Sequence, residues 1–149
     1  IFADGDMVCK ANIEELWNMR DDRYAVMVAK HDYKTKFPVK YLGAKNEDYP
    51  RKNWSSVILW NCSHESNRVL TPEYVQEASG KMLHRFMHLG DFEIGEIPLE
   101  WNWLTMEYEP SAKAKLLHYT IGTPCFPEYK DSDMANHWWW SYRNSCKPL

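Results

Sequence analysis

The sequence predicts an α/β fold. Two observations carry this: short, almost continuously apolar runs that end on polar residues, and capped helical stretches between those runs. A third observation sets the scale, because 149 residues suffice for one domain, 1–149, with a core of its own. A composition of 44% hydrophobic and 26% charged residues argues against disorder. The net charge of −3 gives no electrostatic footprint for nucleic acid. No apolar run approaches the length of a bilayer span, and the first residues do not form a signal peptide.

Ile1, Phe2 and Ala3 read as the end of a buried strand, after which Asp4 and Asp6 arrive around Gly5. An unpaired buried carboxylate is strongly disfavoured, so a divalent cation held by oxygen ligands is one explanation. Gly5 is expected to turn the backbone tightly and let the two acids converge. Taken alone, Asp-x-Asp reads equally as a solvated turn. The chain opens on Ile1 within a strand, and a preceding segment is expected.

Residues 12–19 read as a short helix, with Asn12 as cap, Glu14 and Glu15 in the first turn, and Ile13, Leu16 and Trp17 on one face. Residues 24–28 form a buried strand that ends in Lys30, His31 and Asp32, at the edge where open α/β sheets gather ligands. Residues 33–53 are a long polar, lysine-rich connection, either functional or mobile. A second apolar run, 57–60, follows. Arg51 and Lys52 precede it and can serve phosphate oxygens, although adjacent basic residues are more often solvated.

Thr71 and Pro72 open a second helix with Tyr74, Val75, Ala78 and Met82 inward and Gly80 as a break. Residues 84–103 mix acids with large apolar groups, as a polar pocket with hydrophobic walls does, and as ordinary loop packing does. A last apolar run ends on His118, a position more often structural than ligating. Trp138, Trp139 and Trp140 cannot all face inward on a helix or a strand. Aromatic residues make up 15% of the chain, which suits a packed core and also the flat C–H faces of sugars. Cys9, Cys62, Cys125 and Cys146 are widely spaced, unlike a zinc site, and read as free thiols of a cytoplasmic protein.

Together, FADGDMV, NWSSVILWN, GDFEIGEIPLEWNWL and LHYTIGTP resemble a GT-A glycosyltransferase, most closely the family 8 group that includes glycogenin and lipopolysaccharide sugar transferases, of small bacterial or phage type. The likeness runs from residue 1 to about residue 129 and implies a mixed, mostly parallel sheet flanked by helices. It implies Mn²⁺ (or Mg²⁺) held by Asp4, Asp6 and His118 on the diphosphate of a nucleotide sugar, usually UDP-linked. Arg51, Lys52, Asn53, Trp54, Ser55, Ser56 and Gly122 are then donor-binding, and Asp91 is the catalytic residue, its carboxylate facing the reacting sugar or accepting the acceptor hydroxyl's proton. Trp101 and Asn102 face a carbohydrate or lipid-linked sugar acceptor.

The Gly122–Phe126 stretch lacks the Lys that relatives place on the diphosphate, and Arg51 and Lys52 are the substitutes expected. The family builds its uracil and ribose pocket before the Asp-x-Asp, in a portion this chain does not contain. The incomplete sheet leaves an exposed edge, so self-association is expected. The rival reading is a non-catalytic carbohydrate-binding or assembly module.

Overall fold

The computed structural model describes residues 1–145; Cys146, the fourth cysteine of the free-thiol expectation, lies outside them. The described chain is an α/β domain of two small mixed sheets and short helices. The first sheet has the order β1-β4-β3-β5, from Phe2–Ala3, Val57–Trp60, Val26–Val28 and Ile94–Glu96. The second has the order β2-β7-β6, from Met7–Cys9, Leu116–His118 and Trp103–Leu104.

The expectation of a mostly parallel sheet is corrected by the pairing. β4 runs antiparallel to both β1 and β3, and β2 runs antiparallel to β7; only β3/β5 and β6/β7 are parallel. Apolar runs buried on both faces look the same in either direction, so the residues of 57–60 carry no mark of reversal.

Those strands are buried on alternate faces, as a two-residue period requires. Met27, Val57 and Leu59 join Leu16, Ile97, Trp101 and Leu116 in one core cluster. Val26, Val28 and Ile58 point the other way, onto Phe86, Leu89 and Ile94. A third cluster of Val8, Ala114, Leu117 and Tyr119 backs the second sheet. Burying side chains of this size contributes roughly 1.5–3 kcal/mol apiece.

Helix α1, Ile13–Trp17, forms where expected: the Asn12 side chain accepts the Glu14 N–H, and Leu16 is buried. Ile13 and Trp17, however, remain about half exposed. The helix expected from Pro72 with a break at Gly80 is two helices, α2 Pro72–Glu77 and α3 Gly80–His84. Ala78 turns extended, and the Ser79 side chain accepts the Met82 N–H to cap a second start. The break precedes Gly80, and Val75 and Met82 are exposed rather than inward. Helix α4, Ala135–Ser145, carries the three tryptophans: Trp138 packs on the third cluster while Trp140 is 66% exposed. Cys9, Cys62 and Cys125 are free and exposed. Strand β1 is an edge, paired with β4 alone, and no described helix is long and apolar enough to cross a membrane.

Candidate metal centre

Asp4 follows β1, and its N–H donates to the Ser56 carbonyl at 3.0 Å. Asp6 immediately precedes β2, whose Met7 is registered opposite His118 of β7. The Asp6 carbonyl then accepts the Tyr119 N–H at 3.0 Å. Sheet register thus carries His118 to the Asp-x-Asp, although more than a hundred residues separate them in the chain. One ligand atom from each of Asp4, Asp6 and His118 lies within 4.8 Å of the others. His118 Nε2 is 3.5 Å from Asp6 Oδ1.

An ion bound at about 2.0–2.6 Å holds its ligand atoms no more than about 4–5 Å apart, so the trio fits a divalent cation. Two carboxylates and one imidazole suit Mn²⁺ or Mg²⁺, with the nitrogen favouring Mn²⁺. The chain bends at Gly5 and Asp6 as expected, but the bend does not require a glycine. Gly5 has no positive φ, and a Cβ built on it meets nothing within 4 Å. The acids flank the bend between the end of β1 in one sheet and the start of β2 in the other.

His118 is buried and enclosed by further bonds. Its Nδ1 is 3.0 Å from Asn102 Oδ1, and its carbonyl accepts from the Thr105 N–H and Oγ1. Burial opposes ionisation of Asp6, but the hydrogen bond and charge of His118 outweigh it, and the carboxyl is held below the usual carboxylate range. His31, just after β3, is 6% exposed and close enough to His118 for their charges to interact. Burial first, and His118 second, push its pKa down to about 3, so its ring is neutral. Its Nδ1 bonds Tyr108 Oη at 2.7 Å, while its buried Nε2 has no protein partner.

Lys40 is a cation near this trio, and nothing in its local sequence singles it out. Its Nζ donates to Thr120 Oγ1 at 3.2 Å, two residues past His118. No carboxylate comes within ion-pair distance of it among the described residues, yet Asp6 and Asp4 both act on it. Burial and Lys52 push its ammonium down, and the carboxylates oppose that. The 33–53 connection that carries Lys40 is ordered by buried polar contacts. The Asn46 amide donates to Thr35 Oγ1 and the Phe37 carbonyl, both at 2.7 Å, and Glu107 accepts from the Thr35 hydroxyl and the Lys36 N–H. Tyr41 N–H donates to the Ile121 carbonyl at 2.9 Å, pinning the loop to the end of β7.

Of the other expected site residues, Asn102, Ser55 and Ser56 meet the trio and the rest are not gathered here. Arg51 is committed to the Arg85 and Phe86 carbonyls and to Asp91, 2.5 Å away. Lys52 is buried, with its Nζ 2.7 Å from Asn46 Oδ1. The Asn53 amide donates to Tyr33 Oη, and Trp54 Nε1 donates to the His31 carbonyl. Ser56 is buried and serves through its carbonyl on Asp4. Ser55 alone of this run shares a cavity wall with Asp4, and its Oγ is 3.0 Å from His84 Nδ1. These residues build the scaffold, because polar groups buried beside a strand must satisfy one another.

A Cβ on Gly122 would lie 2.2 Å from the Tyr129 ring, so that ring occupies the face a donor was expected to meet. Trp101 has no exposed surface and packs in the first core cluster; it cannot contact an acceptor. Asn102, equally buried, faces His118 instead. The Asp91 carboxylate is 89% exposed and pairs with Arg51, and no described contact joins it to the trio.

The chain is 45% identical over 143 residues to Protein CDI of Arabidopsis thaliana, an alignment covering 93% of this chain and 55% of that protein. The chain thus spans little more than half the length of that relative. No protein-family model matches the chain, and no solved structure matches it.

Proposed function

We propose that this chain carries the metal-binding portion of a GT-A-type glycosyltransferase, which moves a sugar from a nucleotide-diphosphate donor (a UDP-sugar) to an acceptor hydroxyl. The observation that carries the reading is the meeting of Asp4, Asp6 and His118 within 4.8 Å. It is supported by where the groups sit: Asp4 follows β1, His31 follows β3 and His118 ends β7. Ligands of open α/β sheets collect at such carboxyl ends.

A divalent cation bound there neutralises the negative charge that develops on a departing diphosphate. Asp4, Asp6 and His118 would hold it. Lys40 brings a second positive charge to the same side without an ion-pair partner of its own, the role first expected of Arg51 and Lys52. The acceptor expected at Trp101 and Asn102 has a better home in an open cavity of about 670 Å³, where Trp103 and Tyr108 stand beside Lys30, Asp32 and Glu107. Aromatic faces flanked by carboxylates suit a polyhydroxylated ligand.

The test is release of free nucleotide diphosphate from a panel of nucleotide sugars with Mn²⁺. Release that disappears in Asp6→Ala supports the reading. An Asp6→Ala protein that transfers as well as the wild type removes the metal assignment. The second reading, a non-catalytic carbohydrate-binding module, is favoured by the solvent-facing Trp140 and Tyr142 on α4. It is distinguished by glycan binding that survives Asp6→Ala.

A further inference from the structure

We infer that Asn102 is a positioning residue that fixes the proton of His118 on Nδ1 and so aims an Nε2 lone pair at the point where Asp4 and Asp6 converge. This rests on the metal reading above and adds to it the group that orients the nitrogen ligand.

The amide of Asn102 has one orientation. Its Nδ2 is 2.9 Å from the Asn53 carbonyl, an oxygen that can only accept. The nitrogen of the amide therefore faces Asn53, and Oδ1 faces His118 Nδ1 at 3.0 Å. That oxygen also only accepts, so Nδ1 must carry the hydrogen. In the neutral ring Nε2 is then bare, and it points toward Asp6 Oδ1, 3.5 Å away. In that neutral form three atoms with lone pairs converge, and a cation takes the place of the Nε2 proton that the charged ring would donate to Asp6.

Every link behind Asn102 is buried or tied. Asn102 has no exposed surface, and Asn53 is 9% exposed. Asn53 adopts a left-handed conformation with φ 61°, and its side chain is anchored on Tyr33 Oη at 2.8 Å. Asparagine is one of the few non-glycine residues that adopts that conformation readily, and it sets the carbonyl that receives the Asn102 amide. A metal-bound histidine whose second nitrogen donates to a fixed oxygen is oriented and made more basic.

The experiment has two readouts. Long-range ¹H–¹⁵N spectra of the metal-free protein, recorded where the ring is neutral, report which nitrogen of His118 carries the proton. Calorimetry with Mn²⁺ reports affinity. The expected result is a proton on Nδ1 in the wild type, opposite to the preference of free histidine in water. Asn102→Leu, close in volume but without an acceptor, should release that preference and weaken Mn²⁺ about 10–100-fold. Asn102→Asp, which keeps the acceptor toward Nδ1 but loses the donor to the Asn53 carbonyl, should retain the proton on Nδ1.

A wild-type His118 protonated on Nε2 overturns the inference, whether or not the variants fold. Unchanged tautomer and affinity in Asn102→Leu overturn it too. A wild type with the proton on Nδ1 but no Mn²⁺ binding removes the metal reading itself, and the inference falls with it.

Discussion

Acidification should unfold this protein partly through His31. In the unfolded chain a histidine takes its proton near pH 6.5, whereas in the fold His31 stays neutral to about pH 3 because it is buried and faces His118. Between those values the unfolded state binds more protons, so stability is complete above about pH 6.5 and falls as the pH drops toward 3. Each pH unit in that window costs about 1.4 kcal/mol. At about pH 4.5, two units down, the loss is about 2.7 kcal/mol, a large part of a typical domain's stability. Urea melts followed by tryptophan fluorescence at several pH values measure it. His31→Gln leaves a non-titrating group that can still meet the Tyr108 hydroxyl. Subtracting its melts cancels the other titrating groups, and the variant's slope should be shallower by about 1.4 kcal/mol per unit. Parallel slopes in the two proteins would mean that His31 picks up its proton within the fold, and the burial argument would be refuted.

Lys40→Met should hold Mn²⁺ as well as the wild type but bind pyrophosphate in the presence of Mn²⁺ at least about 10-fold more weakly; calorimetry showing equal pyrophosphate affinity would return Lys40 to a structural role. Gly122→Ala should cost roughly 1–3 kcal/mol by driving a methyl group into the Tyr129 ring, while Gly5→Ala, with open space around it, should melt like the wild type. Trp101→Ala should lose about 3–5 kcal/mol in denaturant titrations, as a core truncation does, and a variant of unchanged stability would reopen an exposed role.

Much of the local structure was legible in the residues. The caps at Asn12 and Thr71 work through a side-chain oxygen one turn from its target N–H, and that chemistry is written in a few adjacent letters. The buried runs at 26–28 and 57–60 were legible for the same reason, because apolar side chains must leave water. The two acids read equally as a metal site or a solvated turn and the late histidine as structural, and only the family resemblance joins the three as ligands. The break in the second helix reads at Gly80, two residues late, since its place at Ala78 depends on Ser79 competing for the next turn of backbone.

What the sequence alone determined was the inventory: which segments are buried, where helices begin, and which side chains have the chemistry to bind an ion. Strand direction, the meeting of Met7 with His118, and the distribution of polar side chains between the Asp4, Asp6 and His118 cluster and the scaffold were decided only by the tertiary structure. The physical reason is that apolar pattern fixes burial but not partner. A run such as Arg51-Lys52-Asn53 looks available for phosphate until Phe86, Asn46 and Tyr33 arrive from elsewhere in the chain to satisfy it.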